Sequence, residues 1–144
     1  MKFKLFLATA AVLAIAVSAF AKEPETVSVK AQRQLTSEFK DAQQVSWSTS
    51  NNLFEASFKW NGQKLHAFYN QDGEEVALSR EISADELPLK ALQAIHEKYN
   101  DYKAGEVIEL TSTDEGLSYY LSLEKGNKKV ILNVSPNGLV SVFK

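Results

Sequence analysis

Two stretches of this chain alternate apolar and polar residues with a period of two, and they resemble each other. Phe54, Ala56 and Phe58 alternate with Glu55, Ser57 and Lys59 up to an Asn61-Gly62 turn, after which Leu65, Ala67 and Tyr69 alternate with Lys64, His66 and Phe68. Sixty-five positions later Tyr119, Leu121 and Leu123 alternate with Tyr120, Ser122 and Glu124 up to Gly126-Asn127, followed by Val130, Leu132 and Val134. Each stretch predicts a β-hairpin, because period two sets alternate side chains on opposite sides of a strand. Two-residue primed turns then fix the register. Phe58 faces Leu65, Ala56 faces Ala67 and Phe54 faces Tyr69; in the second hairpin Leu123 faces Val130, Leu121 faces Leu132 and Tyr119 faces Val134.

The period changes elsewhere. Val27, Ala31, Leu35 and Phe39 recur every four residues and predict a helix over 27–39 with one apolar stripe. Ala91, Leu92, Ile95 and Tyr99 give a second stripe, on a helix that starts between Ser83 and Pro88; Ser83 with Glu86 fits a capping box, and Pro88 suits an early helical position. Val45 and Trp47 mark a short strand before the first hairpin. After Asp72-Gly73 a further strand is expected; a two-residue turn there places Val76 and Leu78 on the side of Tyr69 and Ala67. The last strand has two registers open. A type I turn with a Gly bulge at 135–138 turns Val140 and Val142 inward, whereas a two-residue turn turns Phe143 inward.

The expected fold is α+β: a tandem repeat of one helix plus a four-stranded antiparallel meander, with copies at 27–81 and 83–144. Each sheet has one apolar side and each helix one apolar stripe, so the helices cover one face and leave the other open. On the open face lie Glu55, Ser57, Lys59, Lys64, His66 and Phe68 from the first copy, and Tyr120, Ser122, Glu124, Lys129, Ile131 and Asn133 from the second. Aromatic residues among polar ones make this the candidate partner-binding surface, with Glu55, Lys59, Lys64, His66, Phe68, Tyr120, Lys129 and Ile131 as contacts. Phe68, Tyr120 and Ile131 are the expected apolar anchors. Trp47 is assigned to the core and Trp60 to its end, beside the turn; Tyr99 and Tyr102 seat the second helix.

Residues 1–21 read as a cleaved export signal: Lys2 and Lys4, an apolar run from Leu5 to Val17, then Ala19-Phe20-Ala21. The run is shorter than the roughly 20 residues of a membrane span. Residues 22–144 are then one domain in the periplasm or outside the cell, without membrane attachment. The chain has no Cys, so no disulfide supports it, and its formal net charge of −2 disfavours nucleic acid. Two His are too few for a metal centre, and no nucleophile–base pair, Gly-x-Ser-x-Gly turn or phosphate-cradling loop occurs. The expectation is a non-enzymatic, monomeric protein with no cofactor, holding a protein or peptide partner. Two rivals remain: a small-ligand carrier with its pocket between helices and sheet, and a structural component of the envelope.

The string Phe39-Lys40-Asp41-Ala42-Gln43-Gln44-Val45-Ser46-Trp47, followed by Phe54-Glu55-Ala56-Ser57-Phe58, Ala67-Phe68-Tyr69, Asp72-Gly73-Glu74, Ser79-Arg80-Glu81-Ile82, Leu87-Pro88, Tyr99-x-x-Tyr102 and Tyr119-Tyr120, resembles the beta-lactamase-inhibitor-like, PepSY-like exported proteins of Bacteroidetes-type bacteria. Lys40-Asp41 departs from the Pro that many relatives carry before the Ala. The resemblance implies two sheets forming one continuous curved surface, a periplasmic or secreted address and no catalysis. It also implies a role in restraining an enzyme.

Overall fold

The computed structural model describes residues 26–144; the expected export signal lies outside the described residues. Helix α1 spans Val29–Glu38 and is followed by β1 (Gln43–Ser50), β2 (Leu53–Trp60), β3 (Gln63–Tyr69) and β4 (Glu75–Ile82). A single 3-10 turn at Ala84–Glu86 leads to α2 (Leu89–Lys98), then β5 (Lys103–Ser112), β6 (Gly116–Lys125), β7 (Lys128–Val134) and β8 (Val140–Val142). All eight strands form one antiparallel sheet in sequence order. Among the described residues no helix is long and apolar enough to cross a membrane.

Both hairpins take the register that their turns dictate. Phe58 pairs with Leu65, Ala56 with Ala67 and Phe54 with Tyr69; Leu123 pairs with Val130, Leu121 with Leu132 and Tyr119 with Val134. The helices lie on the side of these residues. Ala31 and Leu35 of α1 bury against Phe54, Ala56, Phe58, Leu65, Ala67 and Tyr69, with Phe39 and Trp47 at the margin. Ala91 of α2 buries against Val107, Tyr119, Leu121, Leu123, Leu132 and Val134, with Leu92, Ile95, Tyr99 and Tyr102 around it. Trp60 closes the first core at its end: its ring meets Phe39 edge-on at 5.6 Å and its indole N–H donates to the Lys40 carbonyl at 2.9 Å.

α2 starts later than the capping box. The Ser83 N–H donates to Glu86 Oε1 at 3.1 Å and serves the 3-10 turn instead. Pro88 then stands at the N-cap of α2. The reason is local: Pro88 keeps Leu87 extended (φ −66°, ψ 152°), which separates the two helical pieces.

The two long loops after β3 and β7 have the same internal bonding. The Asn70 N–H donates to the Glu74 carbonyl at 2.9 Å and the Gly73 N–H to the Asn70 carbonyl at 3.0 Å; Ser135 to Leu139 and Gly138 to Ser135 repeat this at 2.9 Å each. The side chains of Asn70 and Ser135 accept from Glu74 N–H and Leu139 N–H respectively, both at 3.0 Å. Gly73 and Gly138 sit against the first turns of α1 and α2 at positive φ (82° and 85°). A methyl on Gly73 would lie 2.5 Å from Lys30 Cβ, and one on Gly138 2.7 Å from Lys90 Cβ, so only glycine fits either place.

This loop corrects one expectation. It is longer than a two-residue turn, and the β3–β4 register shifts between Phe68 and Tyr69, so Glu75 stands opposite Tyr69 while Ala77 stands opposite Phe68. Leu78 remains on the helix side, but Val76 packs on the other side, against Phe68 and its neighbours. At the far end Val134 pairs with Val140 and Leu132 with Val142. Val140 packs under α2 as the bulged-turn register predicts, while Val142 is exposed at the sheet edge and Phe143 lies on the opposite side against Tyr120.

Candidate partner-binding face

Period two settles which side each residue occupies, and the sides are as the sequence predicts. Glu55 pairs with Phe68, Ser57 with His66 and Lys59 with Lys64; Tyr120 pairs with Asn133, Ser122 with Ile131 and Glu124 with Lys129. All point away from the helices. No helix among the described residues covers them.

The expected exposure of the anchors is corrected. Phe68 is 1% exposed, Tyr120 6% and Ile131 9%. They form a third apolar cluster with Ala77 of β4 and Ile108 and Leu110 of β5, flanked by Leu53 and Val76. The cluster runs over the sheet from β3 to β7. The Phe143 ring adds an edge-on contact to Tyr120 at 5.2 Å. Eight twisted strands bring the side chains of one face together, and the large groups there bury one another. A strip that reads as mixed and exposed in β3, β6 and β7 alone becomes a core once Ala77, Ile108 and Leu110 fill its centre.

Polar and charged groups surround this strip. Glu55 Oε1 lies 2.7 Å from His66 Nδ1, with side-chain exposures of 13% and 23%. That contact fixes the imidazole on the face and leaves its Nε2 free of any protein partner among the described residues. Ser57 and Ser79 stand on either side of His66 in the neighbouring strands. Farther along, burial raises the Glu106 carboxyl above the ordinary carboxylate range, and the Glu81 carboxylate nearby adds to the effect. Lys59, Lys64 and Lys129 are exposed. Lys59 pairs directly with Lys64, and neither is ion-paired among the described residues. Lys129 reaches Glu124 only at 4.0 Å.

A second polar feature lies on the helix side and carried no signal in the sequence. The β3–β4 register shift turns Glu75 toward the end of α1, where it meets Glu38. Burial and the contact with Glu38 push the Glu75 carboxyl up to about 7. The Tyr69 hydroxyl is buried there, and the Thr49 Oγ1 of β1 is buried too, each without a hydrogen-bond partner among the described residues. Burial, reinforced by Glu38 and Glu75, pushes the Tyr69 phenol above its usual value. The α1 C-terminus, the negative end of its dipole, has no basic residue in its last turn, whereas α2 ends on His96 and Lys98. Among the described residues no three His, Asp or Glu side chains converge as metal ligands.

No protein-family model and no curated protein matches the chain. Solved structures do. A BLIP-like protein of Bacteroides fragilis superposes with a TM-score of 0.69 at 22% identity, covering 79% of this chain and 82% of that one. A Bacteroides eggerthii chain named for a periplasmic location gives 0.73 at 20% identity, with 81% and 86% covered. A DUF2874 family protein of Bacteroides ovatus gives 0.71 at 19%, with 85% and 89% covered. The fold is therefore that of the BLIP-like and DUF2874 proteins of Bacteroides, as the resemblance in the sequence implies.

Proposed function

We propose that this chain, built on the BLIP-like fold, is an exported, non-enzymatic binding protein that holds a protein or peptide partner on the sheet face opposite its helices. In this reading the two halves, 27–81 and 83–144, are copies of one unit, and the matching bonds of the 70–74 and 135–139 loops support that duplication. The periplasmic address rests on the export-signal pattern in residues 1–21 and on the naming of one structural neighbour.

One observation carries the binding reading. The face has no second layer among the described residues, yet its centre is closely packed, and on its border Lys59 and Lys64 have no ion-pair partner among those residues. A packed platform with a polar border lets a partner dock without first ordering loops, which removes one of the costs of association. The contacts fall to Lys59, Lys64, Lys129, Glu55 and His66. Phe68, Tyr120 and Ile131 act beneath them as support, in place of the anchors expected from the sequence. Lys59 opposite Lys64 is mildly unfavourable in the free protein, and an acidic group on the partner relieves it. The inhibitor-like resemblance of the sequence and the BLIP-like name of one neighbour support an enzyme restrained on this face as the form of partner.

The test is affinity capture from an envelope extract with the wild type, with Lys59→Glu/Lys64→Glu, and with Lys30→Glu/Lys90→Glu on the helix side. The reading expects the captured protein to be lost in the first variant and kept in the second. The opposite pattern contradicts it.

A second reading, carriage of a small cationic or polar molecule, draws on the Glu38–Glu75 contact and the unpartnered Tyr69 and Thr49 hydroxyls. Native mass spectrometry of the purified protein decides it: a co-purifying small mass that Glu75→Ala abolishes favours this reading.

A further inference from the structure

The two edges of the sheet differ, and among the described residues one of them is little protected. β8 is three residues long, and beyond it Phe143 and Lys144 stay bonded to Ile131, with N–H to O distances of 2.8, 2.7 and 3.2 Å. β1 is eight residues long, Gln43–Ser50, and has a neighbour on only one side, β2, among the described residues. It contains no Lys, Arg, Asp, Glu or Pro, whereas every other strand of seven residues or more carries at least one charge. Natural sheets ordinarily guard an edge with charge, proline, shortness or a covering element, because an open row of N–H and C=O groups recruits another strand. Among the described residues the one guard on β1 is a bulge between Gln43 and Ser46, where Gln44 takes φ 53°. From Ser46 to Ser50 the register is unbroken.

We propose that β1 pairs antiparallel with β1 of a second copy of this chain, joining two eight-stranded sheets edge to edge about a two-fold axis. This replaces the monomer expected from the sequence. The occupant follows from the residues. Antiparallel pairing about a two-fold through Ser48 sets each member of Ser46-Trp47-Ser48-Thr49-Ser50 against a member of the same five. In any such register no like charges meet, so a strand of this composition is complementary to itself. Serine and threonine side chains hydrogen-bond across a strand pair, and Trp47, half-buried at the margin of the α1 core, gains cover from the incoming strand. Ser46, Ser48 and Ser50 lie on the opposite side with the partner-binding residues, so the dimer doubles that face. A charged strand from another protein finds no opposite charge on β1.

The chain has no Cys, so one introduced thiol reports its own neighbour. The experiment is sedimentation equilibrium of the purified protein over a hundred-fold concentration range, with Ser48→Lys, and with Ser46→Cys, Ser48→Cys, Ser50→Cys and Ser141→Cys under mild oxidation. Expected are a dimer in the wild type, a monomer in Ser48→Lys with unchanged circular dichroism and melting, and cross-linking of at least one β1 cysteine but not of Ser141→Cys. A wild type that is monomeric throughout overturns the proposal. So does a dimer that survives Ser48→Lys and cross-links only through Ser141→Cys.

Discussion

The two faces of the sheet hold the molecule together in different ways. Among the described residues the helix side holds two cores, one beneath each helix. The first extends along β4 as far as Leu78, and the second takes in Ile82. Between them stands a charged pair: Arg80 donates from Nε to Glu109 Oε1 at 2.7 Å and from Nη2 to Oε2 at 3.2 Å. Glu109 holds the Arg80 guanidinium more firmly protonated than usual. On the opposite side there is one core, and it straddles the junction: Phe68 and Ala77 belong to the first half, Ile108, Leu110, Tyr120 and Ile131 to the second. The face that looks bare is the one whose apolar groups bridge the halves. Helices stabilise each half, and the uncovered strip joins them.

This comparison can be broken by mutation. Phe68→Ala removes a ring as buried as Phe58 is on the helix side, and both substitutions are expected to cost about 3–5 kcal/mol in urea unfolding. A much smaller loss for Phe68 would mean that its face is surface. Leu110→Ala in the bridge is expected to cost about 2–4 kcal/mol, read as a lower urea midpoint.

Glu75→Gln sharpens the contrast between the two helix ends. Glu75 titrates near 7 in the folded protein, above its value in the unfolded chain. The folded state therefore holds the extra proton between about pH 4.5 and 7. Stability from this group is complete below that window and is lost as pH rises through 7. After allowance for partial exposure the loss is about 1–2 kcal/mol. Melting temperatures at pH 5 and pH 8 should differ less in Glu75→Gln than in the wild type.

Arg80→Ala removes a partly exposed pair on the helix side and is expected to cost only about 1 kcal/mol, which a denaturation midpoint resolves. Lys59→Glu has the smallest effect. It relieves the like-charge pair with Lys64 and should stabilise by no more than about 0.5 kcal/mol, an increment that fades in high salt.

Much of this was legible from the chain. Asn61-Gly62 and Gly126-Asn127 set the register of both hairpins, and the four-residue spacing of Val27, Ala31, Leu35 and Phe39 marks the face of α1, because both depend on local geometry. Trp60 at the end of the first core is legible for the same reason: its phase and its closeness to the turn are local facts. Three features were not legible. The five-residue loop at 70–74 hides behind an Asp-Gly that reads as a tighter turn, and the shift it causes sends Val76 and Glu75 to unexpected sides. The contact of Glu38 with Glu75 joins residues far apart in sequence and has no periodic signature. The burial of Phe68, Tyr120 and Ile131 needed β4 and β5 laid beside them; alternation tells which side a residue takes and not what surrounds it.

Both tryptophans, Trp47 and Trp60, belong to the first half, whereas far-ultraviolet circular dichroism reports on the whole sheet. Urea unfolding followed by both signals at once is therefore the most direct test of the bridging strip. The wild type should give coincident curves, and Ile108→Ala should weaken the bridge and pull them apart, with the tryptophan transition no longer tracking the sheet. Separate transitions in the wild type, or coincident and unshifted ones in Ile108→Ala, would contradict the account.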